Sequence, residues 1–284
     1  MKNIESNLKE SRKYKPNKEF SNQATITKEV LATLRSDYQA DSNLFWSTLA
    51  KNEITWIKKF KTICTGDAPN FQWFKEGKVN VSENCLDRHL DINKDAIIHI
   101  SEDNQKRVLS YEDLYQAVNN FSYSLKSIGQ KKGSRVIIYM PTIPESIIAM
   151  LACARLGLIH SVVFAGFSAE SLKDRINDCE AELVITVDSF KRNGKKIKAK
   201  DTVDSAIRSG CPSIKKVIVF KNSKETVSFN PNIDLWWTEI LPKSDQIVSP
   251  EVMSAEDTLF ILYTSGSTGK PKGIIHSSAG YLLN

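Results

Sequence analysis

Short apolar runs alternate with segments of helical periodicity between residues 96 and 220. The apolar runs are rich in β-branched residues and predict strands at 96–100, 135–139, 159–164, 182–187 and 215–220. The segments between them predict helices at 110–129, 145–156, 168–179 and 202–210. Strands that alternate with helices form βαβ units, so we expect an α/β fold with a doubly wound, mostly parallel sheet and flanking helices.

Residues that are typical of helix ends occur at the boundaries of the predicted helices. Ser110 and Asp113 have the spacing of a capping box, and Ser168 is a further N-cap candidate. Pro144 suits the first turn of a helix, and Gly157 marks the end of that same helix. These signals support the helix boundaries that the periodicity gives.

The first 95 residues lack the alternation. Residues 1–40 are polar and basic with little periodicity, which predicts an extended arm. Between Leu44 and Phe60, apolar and aromatic residues recur at roughly helical spacing. This spacing predicts one or two amphipathic helices whose aromatic side chains pack in a core.

The net charge indicates which ligands the chain suits, and its length indicates how many domains it can form. The net charge of +6 suits an anionic ligand without requiring nucleic acid. At 284 residues with 41% hydrophobic content, the chain is long enough for one large domain or two modest ones.

The cysteines and the apolar segments indicate a cytoplasmic protein. The five cysteines are odd in number and contain no Cys-x-x-Cys, so neither a disulfide framework nor a zinc site is predicted. The first 20 residues lack the apolar segment of a signal peptide. The longest apolar stretch, 147–164, is interrupted by Arg155, Gly157 and His160, which predicts a helix and a strand rather than a membrane span.

The sequence TSGSTGKPKG at 264–273 has the composition of an anion-binding loop and follows a predicted strand at 257–263. Glycines allow close backbone approach, hydroxyls and successive backbone N–H groups donate hydrogen bonds, and lysines add positive charge. In an open α/β sheet, ligands gather at the carboxyl ends of strands, where this loop lies. The candidate phosphate-binding residues are Thr264, Ser265, Gly266, Ser267, Thr268, Gly269, Lys270, Lys272 and Gly273.

The loop does not match the common P-loop pattern. Gly266 and Gly269 are three residues apart, and Pro271 follows Lys270 where that pattern requires serine or threonine. A Walker-type NTPase is therefore disfavoured. The alternative is a solvated glycine- and serine-rich turn, since such clusters mark loops in general.

The run KRNGKKIKAK at 191–200 carries six basic residues and no acid. It fits a solvated basic turn, a nucleic-acid contact, or a site for an anionic small molecule. A nucleic-acid contact is the weaker interpretation, because basic residues are not interleaved with aromatic ones as in RNA-binding sheets.

The stretch YTSGSTGKPKG at 263–273 resembles the signature loop of the adenylate-forming superfamily of acyl-CoA synthetases. Four further segments resemble the AMP-forming acetyl-CoA synthetases within that superfamily. They are ESRKYKPNKEF (10–20), FQWFKEGKVNVSENCLDRHL (71–90), YMPTIPESIIAMLACARLG (139–157) and HSVVFAGFSAESLKDRI (160–176). The resemblance covers nearly the whole chain.

The resemblance implies a two-step acetate–CoA ligase reaction. ATP, with Mg²⁺ present, adenylates acetate, and the loop at 264–273 grips the β- and γ-phosphates. The CoA thiol then attacks acetyl-AMP, which gives acetyl-CoA and AMP. Propionyl-CoA and acetoacetyl-CoA ligases remain alternatives, although the segment 10–20 favours the acetate family. The resemblance also implies an N-terminal arm and helical region at 1–95 and a partial AMP-binding domain at 96–284.

The resemblance places an Arg-x-Gly-Arg element at the 3′-phosphate of CoA. Arg192 and Gly194 match it, whereas Lys195 replaces an arginine and loses the bidentate fork. Ala165 replaces a glycine in a Phe-Gly-Gly-Phe-Ser motif and adds a methyl group near the nucleotide. The CoA-binding residues implied in this way are Phe164, Ala165, Gly166, Arg192, Asn193, Gly194 and Lys195.

In the family, the adenine and acyl pockets, the magnesium ligands and the catalytic lysine lie later in the sequence than Asn284. We therefore expect no catalytic lysine and no metal ligand within these residues. We also expect an N-terminal fragment that is inactive alone. A truncated, non-catalytic paralogue is the alternative.

Overall fold

The computed structural model describes residues 13–223, 226–264 and 271–283. Two units are present, one ending at Leu49 and the other beginning at Ala50. No helix in the described ranges is long and apolar enough to cross a membrane. All five cysteines are free thiols.

The first unit is helical. It contains α1 (Lys18–Asn22) and α2 (Lys28–Ala40), and α3 (Ser42–Glu53) begins in it. The prediction of an extended arm over residues 1–40 is therefore wrong at 18–22 and at 28–40. Thr27 caps α2 by accepting a hydrogen bond from the backbone N–H of Val30 at 3.3 Å, and no glycine or proline interrupts the helix.

The second unit begins with short elements around an aromatic cluster. They are β1 (Thr62–Thr65), β2 (Gln72–Lys75), β3 (Lys78–Val79), α4 (Val81–Cys85) and a 3₁₀ turn at Asp87–His89. The helix predicted up to Phe60 ends at Glu53, because the backbone of Lys58 pairs with Lys78 instead. The Trp56 ring packs against Phe60 and Phe74, at 5.2 and 5.7 Å between centroids, so these aromatic side chains form a core as predicted.

The predicted strand at 96–100 is present as β4 (Asp95–Ile100). It pairs antiparallel with β5 (Lys106–Ser110) in a separate two-stranded sheet. The sequence placed it with the parallel strands. The short turn at 101–105 instead returns the chain beside β4, which only antiparallel pairing allows.

The predicted helices and strands between residues 111 and 220 are all present, as is the strand predicted at 257–263. The hairpin at 190–197 and the elements at 234–254 and 272–277 were not predicted. In chain order the elements are α5 (Tyr111–Ser127), β6 (Arg135–Tyr139), α6 (Pro144–Arg155), β7 (Ile159–Val162), α7 (Ala169–Asp178), β8 (Leu183–Val187), β9 (Phe190–Arg192), β10 (Lys195–Ile197), α8 (Ala199–Arg208), β11 (Lys216–Phe220), β12 (Asp234–Trp236), α9 (Trp237–Ile240), β13 (Met253–Ser254), β14 (Thr258–Thr264), β15 (Lys272–Ser277) and α10 (Ser278–Leu282).

Seven strands form the central sheet, in the order β12, β11, β8, β6, β7, β14 and β15. All neighbours are parallel except β14 and β15. The order is that of a doubly wound sheet, which confirms the predicted fold class. The chain adds β7 on one side of β6 and β8 on the other, so the strand order reverses at β6.

Helix caps lie where the sequence predicts them. The Ser110 hydroxyl accepts a hydrogen bond from the N–H of Asp113 at 3.1 Å, and the Asp113 carboxylate accepts one from the N–H of Ser110 at 3.0 Å. Ser168 caps α7, and Pro144 opens α6. The strands β6 and β8 are buried almost throughout, so the main core lies between the sheet and these helices.

Candidate functional site

A cavity of about 880 Å³ lies at the carboxyl edge of the central sheet. The segments that follow β6, β7, β8 and β11 line it, together with the turn between β4 and β5 and the β9–β10 hairpin. The strand order reverses at this point, and open α/β sheets bind their ligands in the crevice at such a reversal.

Asp188 ties two of the lining segments together. It directly follows β8 and is fully buried. Its Oδ1 accepts hydrogen bonds from the backbone N–H groups of Ser189 at 2.6 Å and Asn222 at 2.9 Å. Its Oδ2 accepts from the backbone N–H and the hydroxyl of Ser223, at 3.1 and 2.8 Å. One carboxylate therefore holds the ends of β8 and β11 in a fixed arrangement at the cavity.

The segment after β7 forms a tight turn at the cavity. The backbone N–H of Phe167 donates to the carbonyl of Phe164 at 3.0 Å. The hydroxyl of Tyr139, at the end of β6, donates to the carbonyl of Phe167 at 2.7 Å. Burial raises the pKa of Tyr139, so its hydroxyl remains a donor at neutral pH. Ala165, within this turn, is buried against the main core.

The basic run folds into a hairpin of β9 and β10. Asn193 and Gly194 form its two-residue turn with φ of 50° and 70°, the left-handed values that a type I′ turn requires. The register places Arg192 directly opposite Lys195, and Lys191 opposite Lys196. Like charges in opposite positions destabilise a strand pair. An anion bound beside these cations would relieve that repulsion.

Arg192 is held by an aromatic ring. Its guanidinium carbon lies 4.4 Å from the ring centroid of Phe164, a cation–π contact. Gly166 makes this contact possible. A Cβ atom at Gly166 would lie 2.5 Å from the Phe164 ring and 2.8 Å from Nη1 of Arg192. Among the described residues, Arg192 forms no ion pair, so its charge is available to a ligand.

Two carboxylates of the β4–β5 turn face the basic hairpin. Glu102 Oε1 accepts the backbone N–H of Gly194 at 3.0 Å, and Asp103 pairs with Lys191 at 3.1 Å. Both acids line the cavity. The cavity lining therefore contains acidic residues in direct contact with the basic hairpin.

The predicted CoA-binding residues fall into two groups. Phe164, Ala165 and Arg192 line the cavity, and Gly166 borders the stack of Phe164 and Arg192. The remaining three residues form the hairpin turn and the start of β10, outside the lining; they are Asn193, Gly194 and Lys195.

Only the two ends of the predicted phosphate loop can be located. Thr264 ends β14, and Lys272 and Gly273 begin β15, with Thr264 paired to Lys272. These ends lie at the same carboxyl edge of the sheet but do not line the cavity. The other predicted residues lie outside the described ranges; they are Ser265, Gly266, Ser267, Thr268, Gly269 and Lys270.

The sequence reasoning missed several residues of the site. Asp188 directly follows β8, and Asn222 and Ser223 lie two and three residues after β11; polar residues just after a buried strand are a usable signal. The dipeptide Asn193–Gly194 between two short extended segments is the strongest short-range hairpin signal. Glu102 carries no comparable signal, because its role depends on contacts across 92 residues of sequence.

The fold and the site together define a doubly wound α/β domain with a charged ligand cavity at its switch point, a class that binds nucleotides. The chain belongs to the AMP-binding enzyme family. The sequence model of this family, described as "AMP-binding enzyme", matches residues 86–284. A second model, described as "Acetyl-coenzyme A synthetase N-terminus", matches residues 32–85.

Curated relatives match along the whole chain. An acetyl-coenzyme A synthetase of Laribacter hongkongensis is 49% identical over 100% of this chain and 44% of its own length. That of Pasteurella multocida is 49% identical over 98% of this chain and 43% of its own length. The chain thus spans less than half the length of these relatives. Among solved structures, acetoacetyl-CoA synthetase from Streptomyces lividans matches with a TM-score of 0.81 and 25% identity, over 93% of this chain and 40% of that chain.

Proposed function

We propose that the chain serves acetate–CoA ligation. In this reaction ATP and acetate give acetyl-AMP and pyrophosphate, and the CoA thiol then attacks the acetyl carbonyl and releases AMP. The names of the curated relatives and the match to the acetyl-coenzyme A synthetase N-terminus family at 32–85 support this choice. Ligation of acetoacetate is a second candidate, favoured by the structural similarity to acetoacetyl-CoA synthetase.

The observation that carries the proposal is the arginine held at the mouth of the cavity. Arg192 stacks on Phe164 at the cavity and lies opposite Lys195 in the hairpin register, which gives a phosphate two neighbouring cations. We assign Arg192 and Lys195 to the 3′-phosphate of CoA, and the turn of Asn193 and Gly194 to their placement. The segment of Phe164, Ala165 and Gly166 would lie against the nucleotide of CoA.

The loop at 264–273 is the proposed grip on the β- and γ-phosphates of ATP. The described ends support this role, because Thr264 and Lys272 lie at the carboxyl edge of the sheet. The described residues contain no cluster of three or more His, Cys, Asp or Glu side chains that fits a metal ion. We therefore assign no step to Mg²⁺ within them, and we propose that it is carried by the ATP phosphates.

We further propose an N-terminal region up to residue 95 and an AMP-binding domain from residue 96. The family models, which meet between residues 85 and 86, support a division in this part of the chain. A cytoplasmic location is also proposed, supported by the five free thiols.

Calorimetric binding of CoA and dephospho-CoA tests the proposal. The chain should bind CoA more tightly than dephospho-CoA, which lacks the 3′-phosphate. Arg192→Ala should weaken CoA binding by about 1.5–3 kcal/mol, or roughly 10- to 150-fold, and largely abolish the preference. Lys198→Ala removes a charge from the same basic run but outside the hairpin, and should leave the preference intact.

A nucleic-acid site would behave differently in the same measurements. Oligonucleotide binding would fall steeply with salt, and Arg192 and Lys198 would contribute about equally. If Arg192→Ala left CoA affinity unchanged while weakening oligonucleotide binding, the CoA assignment would be wrong.

A further inference from the structure

The acidic turn between β4 and β5 already uses part of the anion-binding capacity of the basic hairpin. Glu102 Oε1 accepts the N–H of Gly194 at 3.0 Å. Asp103 accepts from Lys191 Nζ, with its two oxygens at 3.3 and 3.1 Å. These carboxylates occupy one backbone donor and one ammonium group of the same hairpin that carries Arg192.

The turn that carries these acids is built independently of the hairpin. The hydroxyl of Ser101 accepts the N–H of Gln105 at 3.0 Å, and the carbonyl of Ser101 accepts the N–H of Asn104 at 2.9 Å. Asn104 adopts the left-handed conformation, with φ of 59°. The position of Glu102 is therefore set by its own turn, and a substitution of its carboxylate should leave the turn folded.

The strands on either side of the turn are also anchored. Arg107 of β5 donates two hydrogen bonds to the buried carboxylate of Glu145, at 2.7 and 3.2 Å. These hydrogen bonds raise the pKa of Arg107 and form a bidentate pair of fixed geometry. The acidic turn is consequently held beside the cavity, rather than swinging freely in solvent.

A carboxylate and a phosphate oxygen have the same requirement for donors. Glu102 bonded to Gly194 therefore excludes a phosphate from that N–H group. Its negative charge also repels any anion nearby, whether or not the anion reaches Gly194. A phosphate that binds across the hairpin turn must displace Glu102, whereas one bound elsewhere in the cavity meets only the repulsion.

We propose that Glu102 is a specificity-determining residue, an internal competitor that a nucleotide phosphate must displace from the N–H of Gly194. The proposal rests on the proposed function, because it takes the 3′-phosphate of CoA as the displacing group. Asp103 supports the same arrangement by holding Lys191. A ligand without a phosphate at this position makes no contact with the N–H of Gly194, so displacing Glu102 adds nothing to its affinity.

Calorimetric titration of the wild-type and Glu102→Gln chains at low ionic strength tests this inference. Adenosine 3′,5′-bisphosphate, AMP and pyrophosphate are the probes. We expect Glu102→Gln to bind adenosine 3′,5′-bisphosphate about threefold to tenfold more tightly, since the amide oxygen of glutamine competes for the N–H of Gly194 without a negative charge. AMP, which lacks the 3′-phosphate, should change by less than about twofold.

The matched control is Glu180→Gln. Glu180 is also an exposed carboxylate with one partner at 3.0 Å, Arg135, but it lies at the opposite, amino-terminal edge of the sheet. The Glu180→Gln substitution makes the same change in net charge, but it should leave all three affinities unchanged because Glu180 lies far from the cavity. An equal gain in affinity in both variants would mean that net charge alone causes the effect, and it would overturn the proposed role of Glu102.

The three probes separate failure of this inference from failure of the proposed function. If the wild-type chain prefers the bisphosphate over AMP but Glu102→Gln binds it equally or more weakly, Glu102 is no competitor and the CoA assignment stands. If Glu102→Gln tightens pyrophosphate binding while neither chain distinguishes the bisphosphate from AMP, the competitor stands and the CoA assignment fails. Absence of binding of any probe to either chain would overturn both.

Discussion

Replacing Asp188 by asparagine should separate the two segments that this carboxylate joins. The side chain is fully buried and accepts hydrogen bonds from three residues, Ser189, Asn222 and Ser223. Asparagine has nearly the same shape, so the substitution tests charge and hydrogen bonding rather than packing. It exchanges one acceptor oxygen for an NH₂ group that can only donate.

Neither orientation of the asparagine side chain satisfies the site. With NH₂ at the Oδ1 position, it faces the N–H groups of Ser189 and Asn222, now 2.6 and 2.9 Å from another donor. With NH₂ at the Oδ2 position, the backbone N–H of Ser223 keeps only its 3.2 Å contact to Oδ1, while the Ser223 hydroxyl can turn to accept from the NH₂ group. The second orientation is milder, but every remaining bond loses the assistance of the charge. We expect the free energy of unfolding to fall by about 1.5–3 kcal/mol.

Urea denaturation followed by tryptophan fluorescence and circular dichroism measures this loss. Asp201→Asn is the matched control, because the side chain of Asp201 is about half exposed and pairs with Lys198 at 3.6 Å. It makes the same chemical change and should cost less than about 0.5 kcal/mol. Equal losses in the two variants would refute the reasoning that Asp188 joins the ends of β8 and β11.

Two further predictions concern β7 and the turn that follows it. Burial lowers the pKa of His160 to about 4, so the folded chain binds this proton less readily than the unfolded chain. The contribution of neutral His160 to the free energy of unfolding should therefore be complete above about pH 6.5 and be lost, by up to about 3 kcal/mol, as the pH falls towards 4. In urea denaturation at a series of pH values, His160→Leu should flatten the profile over this range. Gly166→Ala should displace the stack of Phe164 and Arg192 and weaken calorimetric CoA binding by roughly threefold to tenfold, with unchanged stability; unchanged CoA affinity would contradict this.

The order of helices and strands was predictable from sequence because local signals and burial agree. In β8, for example, every residue from Leu183 to Val187 is buried, and the apolar run alone identifies a strand of a parallel sheet. Ser110 and Asp113 likewise mark the start of α5 through contacts three residues apart. Such features depend on neighbouring residues, so one sequence suffices to find them.

Apart from α1 and α2, whose caps are local signals, the errors arose where tertiary pairing decides the structure. The run at 96–100 is a strand, but nothing in its composition shows that it pairs with β5 rather than with the central sheet. Ile57 lies in a helical pattern, yet its backbone N–H donates to the carbonyl of Lys78 at 2.9 Å. β15 was missed because its place in the sheet depends on antiparallel pairing with β14, and neither segment shows that pairing by itself.

The candidate site was only partly predictable for the same reason. Phe164 and Arg192 were identified through a resemblance, but their contact at 4.4 Å joins residues 28 positions apart in the chain. Asp188 makes its contacts 34 and 35 residues later in sequence. These side chains converge because parallel strands end at one edge of the sheet, which only the topology determines.

In the β9–β10 hairpin, local energetics and the observed structure conflict. In the two cross-strand pairs nearest its turn, Arg192 lies opposite Lys195 and Lys191 lies opposite Lys196. These pairs of like charge disfavour the hairpin in isolation. Contacts from outside offset this, since Phe164 covers Arg192, Asp103 neutralises Lys191, and Glu102 accepts from the turn. Local conflicts that tertiary contacts compensate are typical of functional sites. An anion would perform the same neutralisation as these acids, so the hairpin's need for negative charge and its proposed affinity for a phosphate have a single cause.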